Sequence, residues 1–186
     1  MKILAFSDPH LSQKAANTLL TAAKDADLIL GVGDFAQRRG GLTEYVTQFA
    51  DWGARAIFTS GNNESDAELR DAVSGTGIQV LHGECVEVDG VIIAGIGAAV
   101  PPLPPLPWQS YDLTEAEAAD LLAPITHADI LISHSPPKVL QITTRTWEHW
   151  DQLRSATRPS DWHHSIFYVV MCMTLGGKPA ISAKHR

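Results

Sequence analysis

Four short apolar runs, each closing on residues that carry chemistry, constrain this chain more than any other feature. Lys2 to Ser7 runs into Asp8-Pro9-His10, Asp27 to Val32 into Gly33-Asp34, Ala54 to Thr59 into Gly61-Asn62-Asn63-Glu64, and Asp129 to Ser133 into His134-Ser135-Pro136-Pro137. Runs of this length and apolarity suit buried strands, and Pro9 stops a ladder because it has no N–H to donate. Helical periods lie between them. Ser12 is placed to cap a helix carrying Ala15, Ala16, Leu19, Leu20 and Ala23, Thr43 to cap one carrying Tyr45, Val46, Phe49 and Trp52, and Ser65 begins a third through Val73. Thr114, with Glu117 three residues on, has the spacing of a capping box for a helix reaching Leu122. Alternation of this kind predicts an α/β fold.

Two segments depart from it. Cys85 to Val88 and Val91 to Ala94 flank Asp89-Gly90, a hairpin signal that adds an antiparallel element. Val100 to Trp108 holds five prolines and reads as a stiff loop over the strand ends. At 186 residues the chain suffices for one good core, and its 45% hydrophobic and 19% charged content argues against disorder. A net charge of −7 offers no footprint for coating a polyanion, so nucleic acid is not an expected partner. No apolar run is long enough to span a bilayer, and the start reaches a charge too soon for a signal peptide. Two cysteines, Cys85 and Cys172, build neither a disulfide framework nor a four-sulfur zinc site. A cytoplasmic enzyme acting on a small molecule is the expectation.

Ligand sites of α/β folds gather at strand ends along one edge of the sheet, and the residues delivered there are Asp8, His10, Asp34, Asn62 and His134. Carboxylate, imidazole and amide donors suit divalent Mn, Fe, Zn or Mg. An aspartate can bridge two cations, and Asp34 is the central candidate. Two such ions could clamp a phosphate and lower the pKa of a bound water for in-line attack. Each residue also has an ordinary reading: Asp8 as a helix cap, Asp34 and Gly61-Asn62-Asn63 as turns, His134 as a satisfied strand-end histidine. Their order after successive buried strands favours the metal.

That ordered set, Asp8-Pro9-His10, Gly33-Asp34, Gly61-Asn62-Asn63-Glu64 and His134, resembles the serial motifs of the calcineurin-like metallophosphoesterase superfamily: Asp-X-His, Gly-Asp, Gly-Asn-His-Asp/Glu and a lone His. The resemblance covers residues 1 to about 138. It implies a layered α/β/β/α sandwich and two divalent metal ions, with Asp8, His10 and Asp34 on one and Asp34, Asn62 and His134 on the other. It further implies a phosphoesterase that hydrolyses a phosphomonoester or phosphodiester with a metal-bound hydroxide. Asn62, Asn63 and Glu64 are the expected catalytic residues: Asn62 donates from its amide to phosphate, Asn63 positions phosphate, and Glu64 orients its neighbours. Asn63 stands where the family pattern often has a histidine thought to protonate the leaving group, which an amide cannot do at neutral pH.

The superfamily's last motif, Gly-His-X-His, is absent, and the tail histidines His149, His163, His164 and His185 lack its context. Residues 1–138 hold 8 basic and 18 acidic side chains, residues 139–186 hold 6 and 3, and beyond Lys138 only Ile166 to Met173 reads as a strand. Read from the third base of each codon, Tyr168 to Thr174 permits Cys-Gly-His-Val-His-Asp, and one G lost at the Lys138 codon would produce that change of frame. The chain therefore divides into a metallophosphoesterase-like domain, 1–138, and an out-of-frame, poorly ordered tail, 139–186, which leaves the C-terminal portion of the fold incomplete. The alternative is a non-catalytic phosphoesterase-like scaffold, or a truncated inactive product with an incomplete metal site.

Overall fold

The computed structural model describes residues 1–136 and the backbone of residues 167–170. The expected poor order of the tail, and its four histidines, lie outside the described residues.

Strands β1 (Ile3–Phe6), β2 (Leu28–Val32), β3 (Ala56–Thr59) and β4 (Gln79–Val80) form an all-parallel sheet in that order. A second sheet has the order β5 (Glu84–Val88), β6 (Val91–Ile96), β7 (Ile130–Ser133) and β8 (Phe167–Val170). β5 and β6 are the antiparallel hairpin, turning through Asp89 and Gly90 at φ +51° and +79°, as a two-residue turn between twisted strands requires. β7 and β8 then add in parallel, so the strand read near residue 166 is present and pairs Ile130 with Phe167.

Side-chain alternation sets the layers. On β2, Leu28, Leu30 and Val32 point into a core shared with Ile57, Leu81, Ile93, Ile130 and Ile132, between the two sheets. Ile29 points the other way, into a cluster with Phe6, Phe35, Phe49, Trp52 and Phe58 under the helices. All five β2 residues are buried, as a strand covered on both faces must be. Phe49 and Trp52 stack with centroids 4.3 Å apart, and Phe6 meets both edge-on.

Helix α1 (Gln13–Ala22) is capped by Ser12, whose Oγ accepts the Ala15 N–H at 3.2 Å. α3 (Asp66–Ala72) and α4 (Glu115–Leu122) each begin with a full capping box, Ser65 with Glu68 and Thr114 with Glu117. The helix between α1 and α3, α2 (Leu42–Val46), continues as 3-10 turns through Arg55. Thr43, the expected cap, lies inside α2; the cap is Gly41 at φ +75°. A side chain there would be strained and would meet Leu11 at 2.8 Å. With α4 against β6, the architecture is an α/β/β/α sandwich.

Candidate metal centre

The loops leaving β1 and β2 are sewn together. Asp8 N–H donates to the Gly33 carbonyl at 3.0 Å, His10 N–H to that of Asp34 at 3.0 Å and Leu11 N–H to that of Phe35 at 3.2 Å. Asp8, His10, Leu11 and Asp34 all hold positive φ, between 43° and 60°, where side-chain-bearing residues are uncommon and where functional sites concentrate their strain. The loop leaving β3 closes on the same point: a Cβ on Gly33 would fall 2.5 Å from the Gly61 backbone.

Asp34 is fully buried, and both its oxygens are used. Oδ1 accepts the Asn62 and Asn63 N–H groups, both at 2.9 Å, and Oδ2 accepts the Asn63 side-chain amide at 2.8 Å. Two imidazoles face it at longer range. His134 Nε2 stands 3.6 Å from Oδ1, and His10 Nε2 stands 3.6 Å from Oδ2 and 3.7 Å from Asp8 Oδ1, beyond good hydrogen-bond distance. Ligand atoms of Asp8, Asp34 and His134 all lie within 4.8 Å of one another.

The histidine tautomers follow from their outer partners. His134 Nδ1 is 3.0 Å from the Val32 carbonyl, so it must carry the proton, and Nε2 keeps its lone pair. His10 is arranged the same way, with Nδ1 3.4 Å from the Ala36 carbonyl. His134 Nε2 and Asn62 Oδ1 are buried and have no hydrogen-bond partner. Asp34 and Glu64 are buried carboxylates, and among the described residues neither forms an ion pair with a lysine or arginine. Buried negative charge beside unpartnered lone pairs is a donor set that a cation satisfies.

A family model described as calcineurin-like phosphoesterase matches residues 1–171. The chain belongs to that family. The match runs past residue 138, where the resemblance of the motifs ends, and takes in β8. Among solved structures, TT1561 of Thermus thermophilus superposes with a TM-score of 0.63 at 15% identity, covering 81% of this chain and 75% of that one. Another superposes with a TM-score of 0.60 at 14% identity, covering 79% and 73%. Likeness at such identity concerns the fold. No curated protein matches the chain.

In this member of the calcineurin-like phosphoesterase family, Glu64 is the buried post around which the loops are folded. Its Oε1 accepts the N–H groups of Asp34 at 2.8 Å and Gly61 at 2.7 Å, and its Oε2 accepts that of Ala36 at 2.9 Å. Burial and the neighbouring Asp34 carboxylate push its pKa up, while the Ala36 and Gly61 N–H groups pull against them. Asn63 is equally committed, giving its amide N–H to Asp34 and accepting the Arg38 N–H at 2.7 Å. Asn63, expected to position phosphate, is buried with its amide oxygen and one amide N–H on protein partners.

Asp8 and His10 are tuned by each other. The Asp8 carboxylate 3.7 Å away raises the His10 pKa, against the effect of burial and with help from Asp34. Burial works to raise that of Asp8, but the facing His10 imidazole and the hydrogen bond from the Ser7 hydroxyl outweigh it and leave it lowered.

One contact at the centre has no sequence motif. Ser110 Oγ accepts the Asn62 side-chain amide at 3.0 Å, and Tyr111 N–H donates to the Asn62 carbonyl at 2.9 Å. One N–H of the amide expected to donate to phosphate is thus given to Ser110. Only the end of the proline-rich loop, two residues earlier, hinted that this segment approaches the strand ends. Among the described residues, no helix is long and apolar enough to cross a membrane.

Proposed function

We propose that the chain hydrolyses a small phosphomonoester or phosphodiester at a pair of divalent cations, Mn, Fe, Zn or Mg. Asp8, His10 and Asp34 would hold one, and Asp34, Asn62 and His134 the other. The observation that carries this reading is the pair of buried, unpartnered lone pairs, His134 Nε2 and Asn62 Oδ1, beside the fully buried Asp34. When bound, such a pair of ions supplies positive charge for the phosphate oxygens and activates water for attack.

The protein's own part is to hold these donors before substrate arrives. The Val32 and Ala36 carbonyls fix the two imidazole tautomers, and the Asn62 and Asn63 N–H groups fix the Asp34 carboxylate. With Asn63 engaged and no imidazole at that position, protonation of the leaving group has no obvious donor in the Gly61–Glu64 loop. That favours an ester whose leaving group is stable as an anion.

Metal-stripped protein reloaded with Mn should hold about two equivalents and cleave an activated aryl phosphate ester, and Asp34→Ala should lower the rate by about three orders of magnitude or more. Equal residual rates in the two proteins would remove the assignment. Metal-free protein after reloading would favour the alternative of a non-catalytic scaffold, which the missing Gly-His-X-His motif supports. We further infer that residues 139–186 are translated out of frame, the Gly-His-X-His motif being readable in the shifted frame beside β8. Resequencing the gene across the Lys138 codon should reveal a lost base; an intact frame refutes it.

A further inference from the structure

We propose that Ser110 is a positioning residue that sets which end of the Asn62 amide faces the metal centre; this rests on the metal reading above. An asparagine amide has nearly the same shape either way round, so only the polarity of its partners decides its orientation. Here the partners form a directed chain. Ser110 has one hydroxyl proton and gives it to Asp112 Oδ1 at 2.6 Å, and an ionised carboxylate has no proton to return. Toward Asn62, the Ser110 oxygen can therefore only accept. It accepts Nδ2–H at 3.0 Å, which turns Oδ1 to the opposite side, where it is buried without a partner.

The reverse orientation fails at both ends. Asn62 Oδ1 would meet the Ser110 oxygen with no proton between them, and the amide N–H groups would point at a cation. The segment holding Ser110 is itself pinned. Tyr111 N–H reaches the Asn62 carbonyl at 2.9 Å, Ala99 N–H reaches the Tyr111 carbonyl at 3.0 Å, and Leu113 N–H reaches the Ala99 carbonyl at 2.9 Å. Asp112 is held in turn, its Oδ2 accepting the Leu103 N–H at 3.3 Å. A loop without a motif of its own thereby fixes the direction of a ligand forty-eight residues earlier.

The test is Mn binding to EDTA-stripped protein, followed by the electron paramagnetic resonance signal of free Mn. Wild type should take up two ions, and Ser110→Ala should weaken one of them about tenfold, the lower range for loss of an outer partner of a metal ligand. Asn62→Asp has no amide to orient, and its oxygen facing Ser110 has no donor there, so adding S110A to N62D should not weaken Mn binding further. A general loosening of the loop would weaken binding equally in both backgrounds, and that result overturns the proposal, as does unchanged affinity in S110A. Should S110A fail to fold, Asp112→Ala keeps the hydroxyl but frees its proton; it should weaken the same ion, and unchanged affinity there overturns the proposal too. Wild type that binds no Mn removes the metal reading itself, and this inference with it.

Discussion

Asp34, Asn62, Glu64 and His134 keep between 0% and 3% of their surface exposed, whereas the side chains of His10 and Asp8 beside them keep 34% and 24%. The sealed half is held by backbone: five N–H groups, from Asp34, Ala36, Gly61, Asn62 and Asn63, end on the carboxylates of Asp34 and Glu64. In the open half the backbone N–H groups of Asp8 and His10 end on neutral carbonyls, those of Gly33 and Asp34, and the Asp8 carboxylate faces the side chains of Ser7 and His10. Preorganised N–H groups keep their geometry whether or not a cation is bound, while the Asp8–His10 pair can exchange a proton for one. The difference separates a half that belongs to the fold from a half that belongs to the ligand.

The largest effect should come from breaking the sealed half. Glu64→Ala strands three buried N–H groups at the junction of the β2 and β3 loops, each costing about 1–3 kcal/mol when left unpaired. Partial relaxation should bring the total to about 3–5 kcal/mol, read as a lowered denaturation midpoint in the metal-free protein. Loss of activity with unchanged metal-free stability would show that Glu64 acts on substrate and does not hold the loops. His10→Ala, by contrast, should leave the metal-free midpoint within about 1 kcal/mol of wild type, since an exposed ion pair contributes little.

The same contrast explains what the sequence could disclose. The strands were legible because β2 and β3 are buried on both faces, so their apolar runs are continuous, and β1, buried at Phe6, is apolar throughout. The gathering of Asp8, His10, Asp34, Asn62 and His134 at one place was legible because each run ends where the sheet places its loops. The capping boxes at Ser65 and Thr114 were legible from a three-residue spacing. What stayed hidden depends on direction and distance. Nothing in the sequence says that Asn63 turns both ends of its amide to protein, because an asparagine in a turn has many partners available. Ser110 reaches Asn62 through a loop with no period, and Thr43 could not be told from a cap because the cap is Gly41, left-handed and packed closely against Leu11 thirty residues earlier.

The smallest effect is in the pH dependence of the open half, and its sign distinguishes proton from metal. In metal-free protein the raised His10 pKa means that the folded state holds this proton more tightly than the unfolded chain. Its contribution to stability is complete below the ordinary value of 6.5 and is lost as pH rises through the folded value. Asp8 has the opposite sign: its contribution is complete above its ordinary value of 3.8 and is lost as pH falls through its lowered folded value. Between 3.8 and 6.5 both are present, so the pair should stabilise the metal-free protein most in that window, by less than about 1 kcal/mol given its exposure. Binding of Mn requires the neutral imidazole and releases that proton, so stabilisation by Mn should grow as pH rises past the same window. Melting temperatures measured with EDTA and with Mn should therefore diverge as pH increases, and His10→Ala should remove the decline seen with EDTA. A decline that persists in His10→Ala would move the titration to another group and leave the Asp8–His10 pair without a proton to exchange.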